Sequence, residues 1–440
     1  MLTLINSVIT AMPMYMMSVY KMPEKIRKKI DSYRSSFLWM RNLDNRKKYA
    51  LVRWKKVCQM KKNDGLGVLD IKDMNVALLM KWWWRYKSPS FASLWKSLIQ
   101  LKYNGSNNRS SYSPFWKMIR SLDSLGRTSS SYTVGDGSSI NFWQDIWYNN
   151  CSLATLYPFL YDLCANKDCS LQEVVLTHGS ILHFSRSLNG ILRQEWHELT
   201  TILHNTCLKN EDDTMNWRWE TNGIYTSHSL YQFLNFGGVP NHLSNIWWEL
   251  KVPVKIQVFM WLVMHDKILS KHNLSKKGWP GDVSCCCCGD VETTTHLFLF
   301  CPIIKTVWFW LGNCQNEFYK WQSLPDIVNF AARLRKKNKH AFLTCFSALC
   351  WGMWNMRNEI IFNNRRAKTT RNLLILIQSY VEYWTGLTDE ETKQYIKNWL
   401  PQDWNEVPIQ MQAPEAPIGT MSSDDLWRGW NMGQLVEASS

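Results

Sequence analysis

The sequence predicts an α+β protein, predominantly α-helical and multi-domain, with short β-hairpins and one small closed zinc-binding site. Three observations lead there. Apolar residues recur at helical spacing through most of the 440 residues. Strand-like runs are short and bounded by Gly-Asp-Gly or Asn-Gly. One cysteine-rich stretch has the ligand count and spacing of structural zinc.

Leu2 to Tyr20 is apolar, but it has no basic start, carries Asn6, Ser7 and Thr10, and has Pro13 in its middle. It reads as a buried, Pro-broken helix rather than a signal peptide or membrane span. From Pro23 the repeat Ile26, Ile30, Phe37 predicts an amphipathic helix with Lys25, Lys28, Lys29 and Arg34 on its basic outer face. The basic loop Arg46-Lys47-Lys48 follows, then Trp54-Lys55-Lys56 and the turn Asp64-Gly65-Leu66-Gly67. A second helix carries Ala77-Leu78-Leu79 into Lys81-Trp82-Trp83-Trp84-Arg85. Three consecutive Trp cannot all face one core. At least one meets solvent, a neighbouring domain or a ligand, and stacking on unpaired bases competes there with plain packing.

Residues 1–103 read as a basic helical region, and 104–113 as an exposed linker. A connecting region, 114–210, holds a β-hairpin near 132–147 around Gly135-Asp136-Gly137. Another β element at Trp217-Arg218-Trp219, with its turn at Asn222-Gly223, opens a zinc-binding domain over 211–315. Helical spacing returns at Ser227–Leu234. The apolar stretch from Ile246 to Ser270 is broken at Pro253.

Then comes Cys285-Cys286-Cys287-Cys288-Gly289, with His296 and Cys301 completing C-x2-C-x7-H-x4-C. Zinc takes four such donors in a tetrahedron, and protein would fill all four positions, leaving none for a catalytic water. Gly289 lets the chain turn under the ion, and Pro302 reads as the start of a helix capped by Cys301. The competing reading is a chance cluster of reduced thiols. Cys286 and Cys287 are bystanders, with exchange between neighbouring ligands left open. C-terminal helices occupy 325–400, near 340–362 and 370–386, and the Pro- and Gln-rich 401–440 reads as a disordered tail.

Charge is unevenly distributed. Residues 1–120 hold 24 Lys/Arg against 6 Asp/Glu, a net of +18 within a total of +15. A polyanion partner follows, nucleic acid before an acidic membrane surface, against the plainer reading of solvated helix faces. Thirteen scattered cysteines suit a reducing compartment, so the expected location is intracellular, nucleus or cytoplasm, and not secreted. No H-E-x-x-H, G-x-S-x-G, G-x-x-x-x-G-K-[ST] or deaminase signature occurs, which leaves those enzyme classes without support.

Several stretches, in order, resemble the C-terminal part of a plant LINE-type (non-LTR) retrotransposon reverse transcriptase. They are Leu4-Ile5-Asn6-Ser7-Val8, Phe37-Leu38-Trp39, Gly65-Leu66-Gly67, Val134-Gly135-Asp136-Gly137 with Phe142-Trp143, and Lys251-Val252-Pro253-Val254-Lys255-Ile256 with His265. Glu292-Thr293, His296-Leu297-Phe298, Cys301-Pro302, and Trp351 with Trp354 and Arg357-Asn358 continue the match, which covers about residues 1–365. The resemblance implies a zinc-binding module with ligands Cys285, Cys288, His296 and Cys301, the set that spacing also selects. Here Cys286 and Cys287 stand where the family usually has other residues. The parent protein would be an RNA-directed DNA polymerase. Its Tyr-x-Asp-Asp turn is not in this sequence, and Ser423-Asp424-Asp425 lacks flanking strand pattern.

The resulting expectation is a non-catalytic segment with one structural Zn2+ that binds RNA and/or DNA. The contacts would come from Lys25, Lys28, Lys29, Arg46, Lys47, Lys48, Lys55, Lys56, Lys81 and Arg85. No small-molecule substrate and no membrane are expected. The alternatives are a zinc-stapled protein-interaction module, with a protein partner on Trp-rich faces, or a decayed open reading frame.

Overall fold

The computed structural model describes residues 2–39, 50–88, 93–103, 112–236, 242–315, 321–363, 370–388 and 390–397. The principal elements are α1 (Glu24–Trp39), α2 (Ile71–Lys87), α3 (Leu94–Tyr103), α4 (Pro114–Ser121), α5 (Asp123–Ser129) and β1 (Ser130–Thr133). They continue with β2 (Thr214–Trp217), α6 (Ser227–Leu234), α7 (Val254–Met264), α8 (Pro302–Gln315), α9 (Lys336–Asn363) and α10 (Thr370–Thr385). The fold is α+β and predominantly helical. Its sheet among the described residues has two strands. Arg46, Lys47 and Lys48, most of the 104–113 linker and the 401–440 tail lie outside the described residues.

Two compact units share the chain, and neither is continuous in sequence. One comprises Met1–Ile5, Asp31–Val68 and Gly237–Ser440; the other comprises Asn6–Ile30 and Leu69–Phe236.

In the second of these, α2 is the spine. Asp70 caps it by accepting the Lys72 and Asp73 N–H groups at 2.8 and 3.2 Å, as an N-cap carboxylate does. Asn75, buried at 5%, ties down the N-terminal segment: its Nδ2 donates to the Met17 and Tyr20 carbonyls, and its Oδ1 accepts Met22 N–H. The three tryptophans part company. Trp82 Nε1 donates to Ser18 O at 2.7 Å, and its ring meets Trp95 and Phe115 edge-on. Trp83 is buried, donates to Asp123 Oδ1, and lies so close under Gly126 that a Cβ there would sit 2.5 Å from the ring. Trp84 packs against Trp217 and Tyr225. Each indole already has protein neighbours.

The segment Leu2–Tyr20 is broken at Pro13, as its sequence indicates, but it is not buried throughout. Met12 is 77% and Tyr15 81% exposed, because only one side of so short and irregular a helical run reaches the core. The apolar stripe of α1 also differs from expectation. Ile26 is 51% exposed, whereas Arg34, assigned to the basic outer face, is fully buried. Arg34 pairs with Asp31 at 2.9 Å and stacks over Trp54, which gives the buried guanidinium a carboxylate and an aromatic face.

The expected hairpin over 132–147 does not form. β1 pairs antiparallel with β2, Ser130 opposite Trp217 and Thr133 opposite Thr214. The Gly-Asp-Gly stretch instead wraps one distant carboxylate. Asp213 Oδ1 accepts the Gly135 and Gly137 N–H groups at 2.8 and 2.9 Å, and its Oδ2 accepts Ser139 N–H and Oγ–H. A Cβ at Gly135 would stand 2.3 Å from Glu211 O, so glycine is required for this approach. Ile140, Phe142 and Trp143 then enter the core rather than a strand.

In the other unit, Phe259 of α7 meets Trp351 of α9 edge-on at 5.1 Å and Phe298 at 6.3 Å. Pro253 sits at the N-cap of α7, which explains why the apolar run splits there. Sixteen residues of α9 are buried, including Phe346, Trp351 and Trp354, so α9 is the central helix of this core.

Asp213→Ala would leave three backbone N–H groups without their acceptor, at about 1–3 kcal/mol for each one that stays buried. Urea denaturation followed by Trp fluorescence is expected to show a loss of at least about 3 kcal/mol. Asp136→Ala, which removes only the exposed contact to Ser138, is expected to cost under about 1 kcal/mol.

Candidate metal centre

The sequence Ser284–Val291 folds as a tight knuckle. Ser284 and Val291 form an antiparallel bridge, Cys285 N–H donates to Asp290 O at 2.6 Å, and Gly289 N–H returns to Cys285 O at 3.0 Å. Gly289 has φ +83°, with open space where a Cβ would stand, so the backbone conformation alone requires glycine. Cys287 N–H points at Cys285 Sγ, 3.5 Å away, the kind of amide donation that favours a thiolate.

The other two donors come from a wide helical turn, His296–Phe300. Thr293 Oγ1 accepts the His296 N–H at 3.0 Å, and Cys301 N–H donates to His296 O at 2.7 Å. Leu297, Phe298 and Leu299 anchor that turn in the core, and Pro302 starts α8 directly after Cys301.

These pieces bring Cys285, Cys288, His296 and Cys301 together, with one ligand atom from each lying within 4.8 Å of all the others. Thiolates around a tetrahedral ion with bonds of about 2.3 Å stand about 3.8 Å apart, so a small contraction seats a metal. Cys288 Sγ and His296 Nε2 are already 3.1 Å apart. Hydrogen bonds from the Cys286, Cys287 and Cys301 thiols hold Cys285 far below its ordinary pKa. Burial pushes Cys288 up to about 11. A divalent cation would replace the shared protons of this cluster. The donors fit a closed structural site, with four protein positions and no coordination place left over.

A buried ion pair supports the knuckle from behind. Glu292 Oε1 accepts Arg357 Nη2 at 2.7 Å and Lys271 N–H at 2.8 Å, and Oε2 accepts Arg357 Nε at 3.3 Å. Glu292 and Arg357 are 0% and 1% exposed, and the guanidinium stacks over Trp354. Both residues stand in the quoted sequence motifs, yet nothing in their spacing announced that they pair. Each has polar residues beside it in sequence, so neither stands out as a buried charge.

The turn at Asp64 is a further anchor in this unit. Asp64 adopts φ +66°, and its Oδ2 meets His265 Nε2 and Lys56 Nζ, each at 2.8 Å. Its carbonyl accepts Trp261 Nε1. Burial alone would raise the Asp64 carboxyl, but hydrogen bonds from His265 and Lys56 outweigh it and hold it below its ordinary value.

The basic residues are distributed unevenly. Lys25, Lys28 and Lys29 are exposed on α1, although Lys28 lies 3.6 Å from Glu24. Lys55 is exposed, while Lys56 is committed to Asp64. Lys81 and Arg85 lie over the Trp82 ring at 5.3 and 5.7 Å.

A family model described as zinc-binding in reverse transcriptase matches residues 225–308, the span that contains all four donors. Among curated proteins, the chain is 28% identical over 381 residues to one of Arabidopsis thaliana named "Putative ribonuclease H protein". That match covers 82% of this chain and 60% of the relative, so the chain spans less than two thirds of its length. An uncharacterized mitochondrial protein of the same plant is 32% identical over 148 residues, 31% of this chain and 92% of the relative. The chain belongs to the retrotransposon-derived, reverse-transcriptase-type proteins that carry this zinc-binding region.

Two outcomes are expected. Metal analysis by mass spectrometry finds one ion per chain, lost in Cys285→Ser and Cys301→Ser but kept in Cys286→Ser. Arg357→Met strands a buried carboxylate and costs about 3–5 kcal/mol, while the Arg357→Met/Glu292→Met double variant recovers most of that loss in denaturant melts.

Proposed function

We propose that the centre holds one structural Zn2+ and that the chain is a non-polymerising segment of a plant non-LTR element that binds RNA or DNA. The single observation that carries the zinc reading is the convergence of three thiols and one imidazole with no open position. The family match, by its own description zinc-binding, supports it.

The nucleic-acid reading rests on charge. Exposed Lys25, Lys28, Lys29 and Lys55 belong to the segment that carries a net +18. Polyanion binding through such groups is driven by counterion release. The Trp82–Trp84 run contributes rigidity rather than a free stacking surface, since each ring has protein packing of its own. The absence of a Tyr-x-Asp-Asp turn from this sequence supports a chain that does not itself join nucleotides. No helix among the described residues is long and apolar enough to cross a membrane. Action in the nucleus or cytoplasm belongs to the same proposal.

One observation favours a second role as a protein-interaction module. Leu94, Leu98 and Leu101 form an i, i+4, i+7 stripe on α3 and are 81%, 58% and 82% exposed. This stripe is leucine, whereas Trp82, Trp83 and Trp84 pack against other side chains.

Binding of single-stranded RNA and DNA across a salt series tests the main reading. Replacing Lys25, Lys28 and Lys29 together by Ala is expected to weaken binding and to flatten the log K against log salt slope by up to about 2. An unchanged slope would assign the lysines to a solvated face. No primer extension is expected under any condition.

A further inference from the structure

We infer that Asn189 is a site of spontaneous, one-way conversion to aspartate and isoaspartate, set apart by the fold from the other Asn-Gly pair of the described residues, Asn222-Gly223. The reaction needs only water and depends on neither the metal nor the nucleic-acid reading.

The chemistry is intramolecular. The backbone nitrogen of the following residue attacks the Asn side-chain amide carbon, a C–N bond forms, and ammonia leaves with the proton of that nitrogen. Water then opens the cyclic imide at either carbonyl. One opening gives aspartate, and the other gives isoaspartate, whose main chain runs through the former side chain. Water enters, ammonia departs, and nothing is oxidised or reduced. Glycine presents the least obstructed nitrogen, because it carries no Cβ.

Asn189 and Gly190 are both exposed, at the entry to the helix Ile191–His204. Among the described residues no hydrogen bond engages the Asn189 side chain or the Gly190 N–H. Only the Gly190 carbonyl is used, accepting the Arg193 and Gln194 N–H groups at 3.1 and 3.3 Å. Gly190 has φ +56°, and nothing lies within 4 Å of the place a Cβ would take, so no neighbour obstructs ring closure.

Asn222-Gly223 is held at each reacting group. Asn222 Oδ1 accepts the Ile224 N–H at 2.9 Å, and Gly223 N–H donates to Glu220 O at 3.2 Å. Gly223 O also accepts Trp217 N–H at 2.7 Å. The nucleophile and the amide it must attack are thus both committed, and both bonds must break before a ring can close.

The product has a structural consequence. Gly190, the N-cap, brings no capping side chain, and the first turn of Ile191–His204 holds no acidic residue. Conversion of Asn189 places a carboxylate just ahead of the positive end of that helix, which favours negative charge.

Incubation of the full-length folded chain at mildly alkaline pH in heavy-oxygen water, then digestion and mass spectrometry, tests the inference. The heavy oxygen marks conversion during incubation rather than during digestion. The Asn189 peptide is expected to exchange NH2 for labelled OH and to resolve into aspartyl and isoaspartyl forms. Its initial rate is expected to exceed that of the Asn222 peptide at least about 10-fold, since two hydrogen bonds must first break at Asn222-Gly223. In the urea-unfolded chain the two rates are expected to converge. Comparable rates at the two sites in the folded chain would overturn the inference. So would an Asn189 that stays intact in the folded chain, or a ratio of rates that unfolding leaves unchanged.

Discussion

The Glu292–Arg357 pair is the interaction on which the metal module depends most. Two full charges, 0% and 1% exposed, lie between the knuckle and the central helix α9. Neither can be buried alone, because an unpaired ion in such surroundings carries a desolvation cost of several kcal/mol. The carboxylate is saturated by Arg357 and by the Lys271 amide, and the guanidinium is flattened against Trp354. The pair therefore fixes where the knuckle stands as well as holding it. A hydrophobic contact could slide by a rotamer; a two-pronged ion pair cannot. The pair thereby ties the end of the Cys285–Cys288 knuckle to α9.

Much of the fold was legible because it is local. Ser227–Leu234, the split at Pro253 and the two late helices follow from periodicity and from proline chemistry, which act over a few residues. The convergence of Cys285, Cys288, His296 and Cys301 was legible for the same reason, as a knuckle and a single helical turn bring them together. The larger failures are long-range. β1 and Ile140–Trp143 looked like two arms of a hairpin, and only the acceptor Asp213, far along the chain, shows why they separate. Arg34 looked like a surface cation because nothing in its helix foretold Trp54 over its guanidinium. Glu292 and Arg357 could not be matched from spacing, since an ion pair across 65 positions leaves no period.

Charge tells a similar story about function. A net +18 over the first 120 residues describes a reservoir, not a surface. Part of it is spent internally: Arg34 on Asp31, and Lys56 on Asp64. Lys25, Lys29 and Lys55 remain in solvent. Composition thus overstates the charge available to a polyanion, and the exposed subset is the meaningful quantity.

The interleaving of the two units has a consequence for how the chain is made. The stretch Asp31–Val68 leaves the ribosome before Leu69–Phe236, yet its compact unit is completed only from Gly237 onward. Leu69–Phe236 intervenes, and at about 5–20 residues per second its synthesis occupies on the order of ten seconds or more. Throughout that interval Val57, Leu66 and Val68, all buried in the finished protein, have no core to enter. The later unit can close while the earlier one waits. Nascent chains of this protein are consequently most vulnerable to chaperone capture and proteolysis within Asp31–Val68.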